Sequence, residues 1–465
     1  MKTTILCGYL FFAALTQFGC SGNKMNETTA TTMNSTFNSS SQTSSKISCS
    51  LFVTIPWGNG PEAIEPVFLD APFFASVSAD QKRKTYAGMS IRADHSGALH
   101  LMKKYVNDEI ANESELPVWH ITQDGIFKER SLLNISFSQP VQSRIIIDYT
   151  ADGNFNTYLL EHILLKDGTR LNHLIKADHS GKILWDLQGP YSDSLLDFSK
   201  LQGNFTGIST DSSGRLFLFA GTGMHAVAII NCSTADITSV IEMNSGNNKA
   251  ICTNNNGIIA RSVYVPETMK HSFSLYDINN ETETTWPDEQ NRMRSMKGID
   301  GSRNCITFTV SDGLTKFSPE GEELFHMRLQ SVVVRNSDSS IFICNQISDT
   351  LYLMHFLANG SVKSWSFKIP AYSNETNAPG NFRLISVDEN DHFYFHAGEV
   401  PHYAGNIVIT DNNGKILQNL GKPFNMETIE SNFHFSDLVT DSQGIIYLPV
   451  TSPAGFNIVK MKINQ

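Results

Sequence analysis

The chain has 465 residues, a formal net charge of −11, 17% charged residues and 40% hydrophobic residues. No basic run stands out, which argues against a nucleic-acid partner. Low charge with abundant Ser, Thr and Asn suits strands and turns better than long amphipathic helices. The length corresponds to about three average domains, although all-β folds often run longer as one unit.

Met1 and Lys2 open a short charged start, and Ile5 to Leu15 form an apolar stretch too short to span a bilayer comfortably. Residues 1–20 read as a signal peptide. Gly19-Cys20-Ser21-Gly22-Asn23 resembles the end of a bacterial lipoprotein signal, in which the cysteine is acylated. That resemblance makes Cys20 the lipidation site and, with Ser21 rather than Asp behind it, implies an outer-membrane lipoprotein of the cell envelope. The chain departs from the family pattern at Gln17, where Leu is favoured. Ordinary secretion is the alternative. Residues 21–50 are rich in Ser, Thr and Asn and bury almost nothing, so they are expected to form a disordered tether. No later segment is long and apolar enough to cross a membrane.

Asn-x-Ser/Thr sequons occur at Asn26, Asn34, Asn38, Asn112, Asn134, Asn204, Asn231, Asn280, Asn359 and Asn374. They matter only if the source is eukaryotic. After Cys7 in the signal and Cys20, five cysteines remain without the spacing of a disulfide framework or zinc site. Cys305 and Cys344 lie in apolar strands as small buried residues, and Cys232 with Cys252 is the one bridge to consider.

From Leu51 to Gln465 one pattern recurs: an apolar strand, a tight turn built on Asp or Asn, and a second apolar strand. Gly207 to Phe219 shows it most clearly, with Asp211-Ser-Ser-Gly214 between strands. The Asp carboxylate caps backbone N–H groups and Gly takes the positive φ that closes the turn. Such turns fall at Asp94–Gly97, Ala151–Asn154, Asp211–Gly214, Asn254–Gly257, Asp300–Arg303, Asn336–Ser339, Asp388–Asp391 and Asp441–Gly444. A second class falls between them, at Thr122–Gly125, Asp178–Gly181, Pro319–Gly321, Ala358–Gly360 and Asp411–Gly414. One inner and one outer hairpin per period is a four-stranded propeller blade. The expectation is an all-β chain forming a single β-propeller, with eight four-stranded blades and seven as the alternative count. The last unit, Asp437 to Ile463, shows three strands, so an N-terminal strand at Leu51 to Ile55, or near Phe74 to Val77, is expected to close the ring.

These units resemble the broad group of NHL-like, SMP-30-like and quinoprotein-like β-propellers. One of them, Ala177-Asp-His-Ser-Gly-Lys-Ile-Leu-Trp185, resembles the quinoprotein tryptophan-docking repeat. Leu99-His100-Leu101 and Ile416-Leu417-Gln418 stand in similar places without a Trp, so no quinone is expected and Trp185 reads as inter-blade packing. In the family geometry, ligands bind at the loops joining second to third strands and at the connectors between blades. The Asp-His-Ser-Gly turns then keep His95 and His179 apart, as turn residues. Among the connectors, Asn-Phe recurs at Asn204-Phe205, Asn381-Phe382 and Asn432-Phe433, with Phe expected to fill the gap between blades. Arg383, His396, Glu399, His402 and His434 come from neighbouring units and are the candidate ligand-binding set. Histidine and carboxylate suit a divalent metal or acid–base work, and Arg383 suits an anion.

No Gly-x-Ser-x-Gly elbow, His-Glu-x-x-His or phosphate loop occurs, so whether the chain is an enzyme stays open and no catalytic residue is assigned. The expectation is an exported, lipid-tethered propeller that binds a protein or glycan. The alternative is a metal-dependent hydrolase or lactonase of the SMP-30-like kind.

Overall fold

The computed structural model describes residues 46–58, 60, 62–64, 68–70, 84–86, 89–103, 115–137, 139–221, 226–242, 250–252, 257–265, 270–288, 295–309, 313–335, 337–368, 381–398, 406–419, 432–433, 438–452 and 455–464. Among them lie seven four-stranded antiparallel sheets and an eighth that joins the two ends of this region. The fold is a β-propeller of eight blades. Blades 1 to 7 run from Met89 to Asn134, Val141 to Pro190, Phe205 to Glu242, Ala250 to Pro287, Ser295 to Met327, Ser331 to Lys368 and Asn381 to Asn419.

The N-terminal strand closes the eighth blade, and it is longer than the sequence suggested. It begins at Ile47 rather than Leu51 and pairs antiparallel with Gly455–Ile463, from Ile47 opposite Ile463 to Ile55 opposite Phe456. Residues 47–50 therefore belong to the fold, not to the tether. Phe74 to Val77 lie outside the described residues. The inner strand of blade 8 is present in two short pieces, Asn432–Phe433 and Val439–Thr440, both paired with Ile445–Ser452.

The turns form as their chemistry dictates. In the first, the Gly97 N–H donates to the Asp94 carbonyl at 3.1 Å, and Asp94 Oδ1 accepts from the N–H groups of Ser96 and Ala98 at 2.8 and 3.1 Å. Gly97 sits at φ 85°, where a side chain is strained. The carboxylates of Asp152, Asp211, Asp300, Asp388 and Asp441 accept the same two bonds in five of the other inner turns. Those of Asp178 and Asp411 do so in outer turns.

Both faces of a blade are covered, so strands alternate between two seams rather than between core and solvent. In blade 3, Leu216 and Leu218 pack with blade 2, while Phe217 and Phe219 pack with Ile259 of blade 4. Phe205 and Phe382, each at the start of an inner strand, are fully buried in the seams with blades 2 and 6. Blade 8 presents Tyr447 and Ile458 to Leu99 and Leu101 of blade 1. Its other face, with Ile446, Leu448 and Met461, shares one core with Ile306 of blade 5 and with Val332 and Ile343 of blade 6. A regular ring would set that face on blade 7, but blade 7 packs on blade 6 through Phe393 and Phe395.

Outer turns dock on the preceding blade. A Cβ at Gly181 would lie 2.0 Å from the Leu132 carbonyl oxygen of blade 1. One at Gly321 would lie 2.5 Å from the Trp286 ring of blade 4, and one at Gly414 2.4 Å from the Phe367 ring of blade 6. Trp185 likewise reaches across its seam, donating from Nε1 to the Cys232 carbonyl of blade 3 at 3.0 Å. The inter-blade role expected of Trp185 is met, and the structure supplies counterparts that the sequence motif hid: Trp286 and Phe367 pack on the next blade's turn. Cys232 is a free thiol, as are Cys49, Cys305 and Cys344, so Cys232 and Cys252 form no bridge.

Candidate functional site

Antiparallel blades send their first-to-second and third-to-fourth-strand turns to one end and their second-to-third-strand loops, with the connectors between blades, to the other. Of the residues singled out from the sequence, Arg383 and His396 are described. They stand directly opposite each other on the first two strands of blade 7, so their side chains share one face of that sheet. His396 is buried and Arg383 half-buried, and each has partners within the protein. The two are neighbours within paired strands, and His396 lies in the second strand rather than in the loop where the sequence placed it. Cys20, Glu399, His402 and His434 lie outside the described residues. His95 and His179 sit in turns on different blades.

At the loop end between blades 2 and 3, a connector, Tyr191 to Asn204, folds back on itself. Tyr191 N–H donates to the Arg170 carbonyl at 3.0 Å, and Ser192 N–H donates to the Gly203 carbonyl at 3.1 Å. A single turn of 3-10 helix, Phe198–Lys200, is capped by Asp197, whose carboxylate accepts from the Ser199 N–H. Asn172 Nδ2 donates to the carbonyls of Leu201 and Gly203, both at 2.9 Å, and so ties the connector to blade 2.

On that base Asp193 Oδ1 accepts from the Tyr191 hydroxyl at 2.8 Å and from Asn204 Nδ2 at 2.9 Å. The Tyr191 ring meets the His162 ring edge-on, with centroids 4.9 Å apart. Burial pushes His162 down to about 4, against the opposing pull of Asp193, so the ring is neutral near pH 7. Burial and the bond to Asp193 push the Tyr191 phenol up to about 12. Ile145, directly opposite His162 on the inner strand, is 53% exposed, and Leu195 in the connector is 60% exposed. The result is a neutral rim of His162, Tyr191 and Asn204 with one carboxylate, flanked by two open apolar side chains. Sequence reasoning passed over these residues because a lone His within a strand and a Tyr-Ser-Asp-Ser connector match no motif.

Elsewhere ionisable side chains satisfy one another in the interior. In blade 2, Arg144 donates from Nε and Nη2 to Glu161 Oε2 at 2.9 and 2.7 Å, and Glu161 Oε1 bonds His173 Nδ1 at 2.8 Å. Arg144, Glu161 and His173 are all buried. In blade 1, Asp94, His100, His120 and Ser131 form a buried chain. On blade 6, Arg335 pairs with Asp338 and with Asp391 of blade 7 and lies 5.2 Å over the Phe342 ring. No group of three His, Cys, Asp or Glu side chains is arranged to hold a metal ion among the described residues.

No family model matches the chain, and no curated protein matches it. Similar solved structures are β-propellers with remote sequences. The Dos1 propeller is 10% identical over 87% of this chain and 83% of its own, with a TM-score of 0.34. The C-terminal WD40 domain of Sif2 is 11% identical over 80% and 95%, with a TM-score of 0.34. BamB from Moraxella catarrhalis is 10% identical over 85% and 98%, with a TM-score of 0.32.

Proposed function

We propose that the chain is an exported, lipid-anchored propeller that binds a protein partner in the cell envelope through the loop end of its blades. One contrast supports this reading. The buried ionisable groups of blades 1 and 2 are spent on one another, whereas the loop end displays Ile145 and Leu195 beside the Tyr191–Asp193–Asn204 cluster. Exposed apolar side chains rimmed by fixed polar groups suit a protein-docking surface. The anchor rests on the signal-like start and Cys20.

The test places a photo-crosslinking amino acid at Leu195 and, as a control, at Ile126, an exposed apolar residue in a tight turn at the opposite end. A discrete adduct from Leu195 in growing cells, absent from Ile126, is the expected result. No adduct at Leu195, or equal adducts at both positions, would overturn the reading. Palmitate labelling tests the anchor separately, since an unlabelled mature chain removes it.

The second reading is a metal-dependent hydrolase with His396 among its candidate ligands. A stoichiometric divalent ion in the purified protein, lost on replacing His396 with Ala, is its expected signature.

A further inference from the structure

A continuous hydrogen-bond chain starts in the first turn of blade 1, crosses its second, third and fourth strands and ends on blade 2. Asp94 Oδ2 meets His100 Nε2 at 3.0 Å, His100 Nδ1 meets His120 Nδ1 at 2.8 Å, and His120 Nε2 meets Ser131 Oγ at 2.9 Å. Ser131 Oγ then donates to the His179 carbonyl, in the outer turn of blade 2. Asp94, His100, His120 and Ser131 are all buried, and Phe155 of blade 2 packs edge-on against both imidazoles, with centroids 5.7 and 5.5 Å away.

The far end fixes the direction of every bond. A carbonyl only accepts, so Ser131 donates to His179 and must accept from His120 Nε2–H. His120 Nδ1 is then the bare nitrogen, and His100 Nδ1–H donates to it. The remaining nitrogen, His100 Nε2, faces a carboxylate oxygen. One proton must lie between them for the chain to be complete. Burial pushes the Asp94 carboxyl up, but the His100 bond and charge together with the turn N–H and hydroxyl donors outweigh it and hold it below the usual carboxylate range.

We infer that this chain is a proton-dependent latch between blades 1 and 2, which reverses direction when the proton shared by Asp94 and His100 is lost. With the proton gone, His100 keeps one N–H, directed at Asp94, and its Nδ1 becomes an acceptor. His120 shifts to the Nδ1–H tautomer and donates to His100, and its bare Nε2 accepts from the Ser131 hydroxyl. Ser131 has one proton, so its bond to the His179 carbonyl breaks. A single deprotonation at one end thus releases the blade 2 turn at the other. The other titratable and charged groups facing the chain are Tyr149, whose hydroxyl lies within hydrogen-bond reach of the carbonyls of Ser90 and His100 and donates its one proton between them, with Arg92 over its ring, and Tyr447 and Asp441 of blade 8 next to the Asp94 turn. His179 contributes only its carbonyl.

Two measurements on the full chain test the latch. In the protein labelled with 15N-histidine, His120 is expected to carry its proton on Nε2 at the acid end and on Nδ1 at the alkaline end of the range in which the chain stays folded. A His120 tautomer that stays the same throughout overturns the inference. Hydrogen exchange of residues 178–182 is the second readout. After correction for intrinsic base catalysis, exchange should rise about five-fold as the Ser131 bond is lost. Ser131→Ala should exchange at the faster rate throughout and show no such rise. An equal pH response in Ser131→Ala and the unaltered protein would also refute it.

Discussion

The docking of outer turns predicts different penalties for one substitution at two equivalent glycines. Gly181 and Gly360 close outer turns of the same kind, donating to the carbonyls of Asp178 and Leu357 at 2.9 Å, with φ of 84° and 81°. Alanine meets the same left-handed backbone at both, a strain of about 1–2 kcal/mol. A Cβ at Gly360 meets nothing within 4 Å, so the strain is the whole effect there. At Gly181 it would stand 2.0 Å from the Leu132 carbonyl oxygen and 2.7 Å from its carbon, both main-chain atoms of blade 1. Main chain held in a sheet yields little, and overpacking of this kind adds about 1–3 kcal/mol. Gly181→Ala is therefore expected to lower stability by about 2–5 kcal/mol and Gly360→Ala by about 1–2 kcal/mol. Urea unfolding of both variants, followed by tryptophan fluorescence and compared at equal m-value, measures the difference. Values within about 0.5 kcal/mol of each other would show that the turn is not seated on blade 1.

His355 stacks on Phe342 with centroids 4.0 Å apart, and neither ring nitrogen has a hydrogen-bond partner. Burial, aided by Arg335, pushes it down to about 4. The unfolded chain binds the proton first, near pH 6.5, so stability is whole above that value and falls as pH drops toward 4, by up to about 3 kcal/mol. His355→Phe should flatten that window in urea unfolding at stepped pH. Trp185→Phe removes the bond to the Cys232 carbonyl and should destabilise by about 1–2 kcal/mol, measured in the same assay. Ser339, exposed at φ 57°, carries left-handed strain that Ser339→Gly should relieve, raising the urea midpoint by the equivalent of about 0.5–1 kcal/mol. Deleting residues 46–55 leaves Gly455–Ile463 as an open edge, and light scattering should show concentration-dependent association.

The blade count was legible because one chemistry, a carboxylate capping two backbone N–H groups, marks most of the inner turns and survives where glycine does not. Phe155, Arg303, Ser339 and Asp391 occupy the left-handed position, yet each turn is still announced by an Asp or Asn. The outer turns of blades 3 and 4 were not legible, because their left-handed residues are Ala235 and Glu281, with no glycine to mark them. The start at Ile47 was missed because Ile47-Ser-Cys-Ser alternates small polar residues that read as tether. The candidate site was half legible. Arg383 and His396 stand opposite each other on paired strands, whereas the sequence placed His396 in a loop, and the rim of His162, Tyr191 and Asp193 is made by a connector whose fold depends on Asn172 in a different strand.

The buried chain of blade 1 shows why alternation misleads in this architecture. Leu99-His100-Leu101 and Trp119-His120-Ile121 look like half-buried strands with histidine facing water. In a blade the second face is covered by the next blade, so both histidines are fully buried and must find partners there. A polar residue on that face must pair or be replaced by an apolar one, and the chain takes each course in different places. Blade 3 presents Phe217 and Phe219 to blade 4, whereas blade 1 presents His100 and His120 to blade 2, whose facing side carries Glu161 with Arg144 and His173 on the adjacent strands. Apolar seams gain from area alone, while polar seams are complete only in one protonation state and one register. The seams that respond to solution conditions should therefore be the polar ones, and the protonation argument places the first to respond between blades 1 and 2.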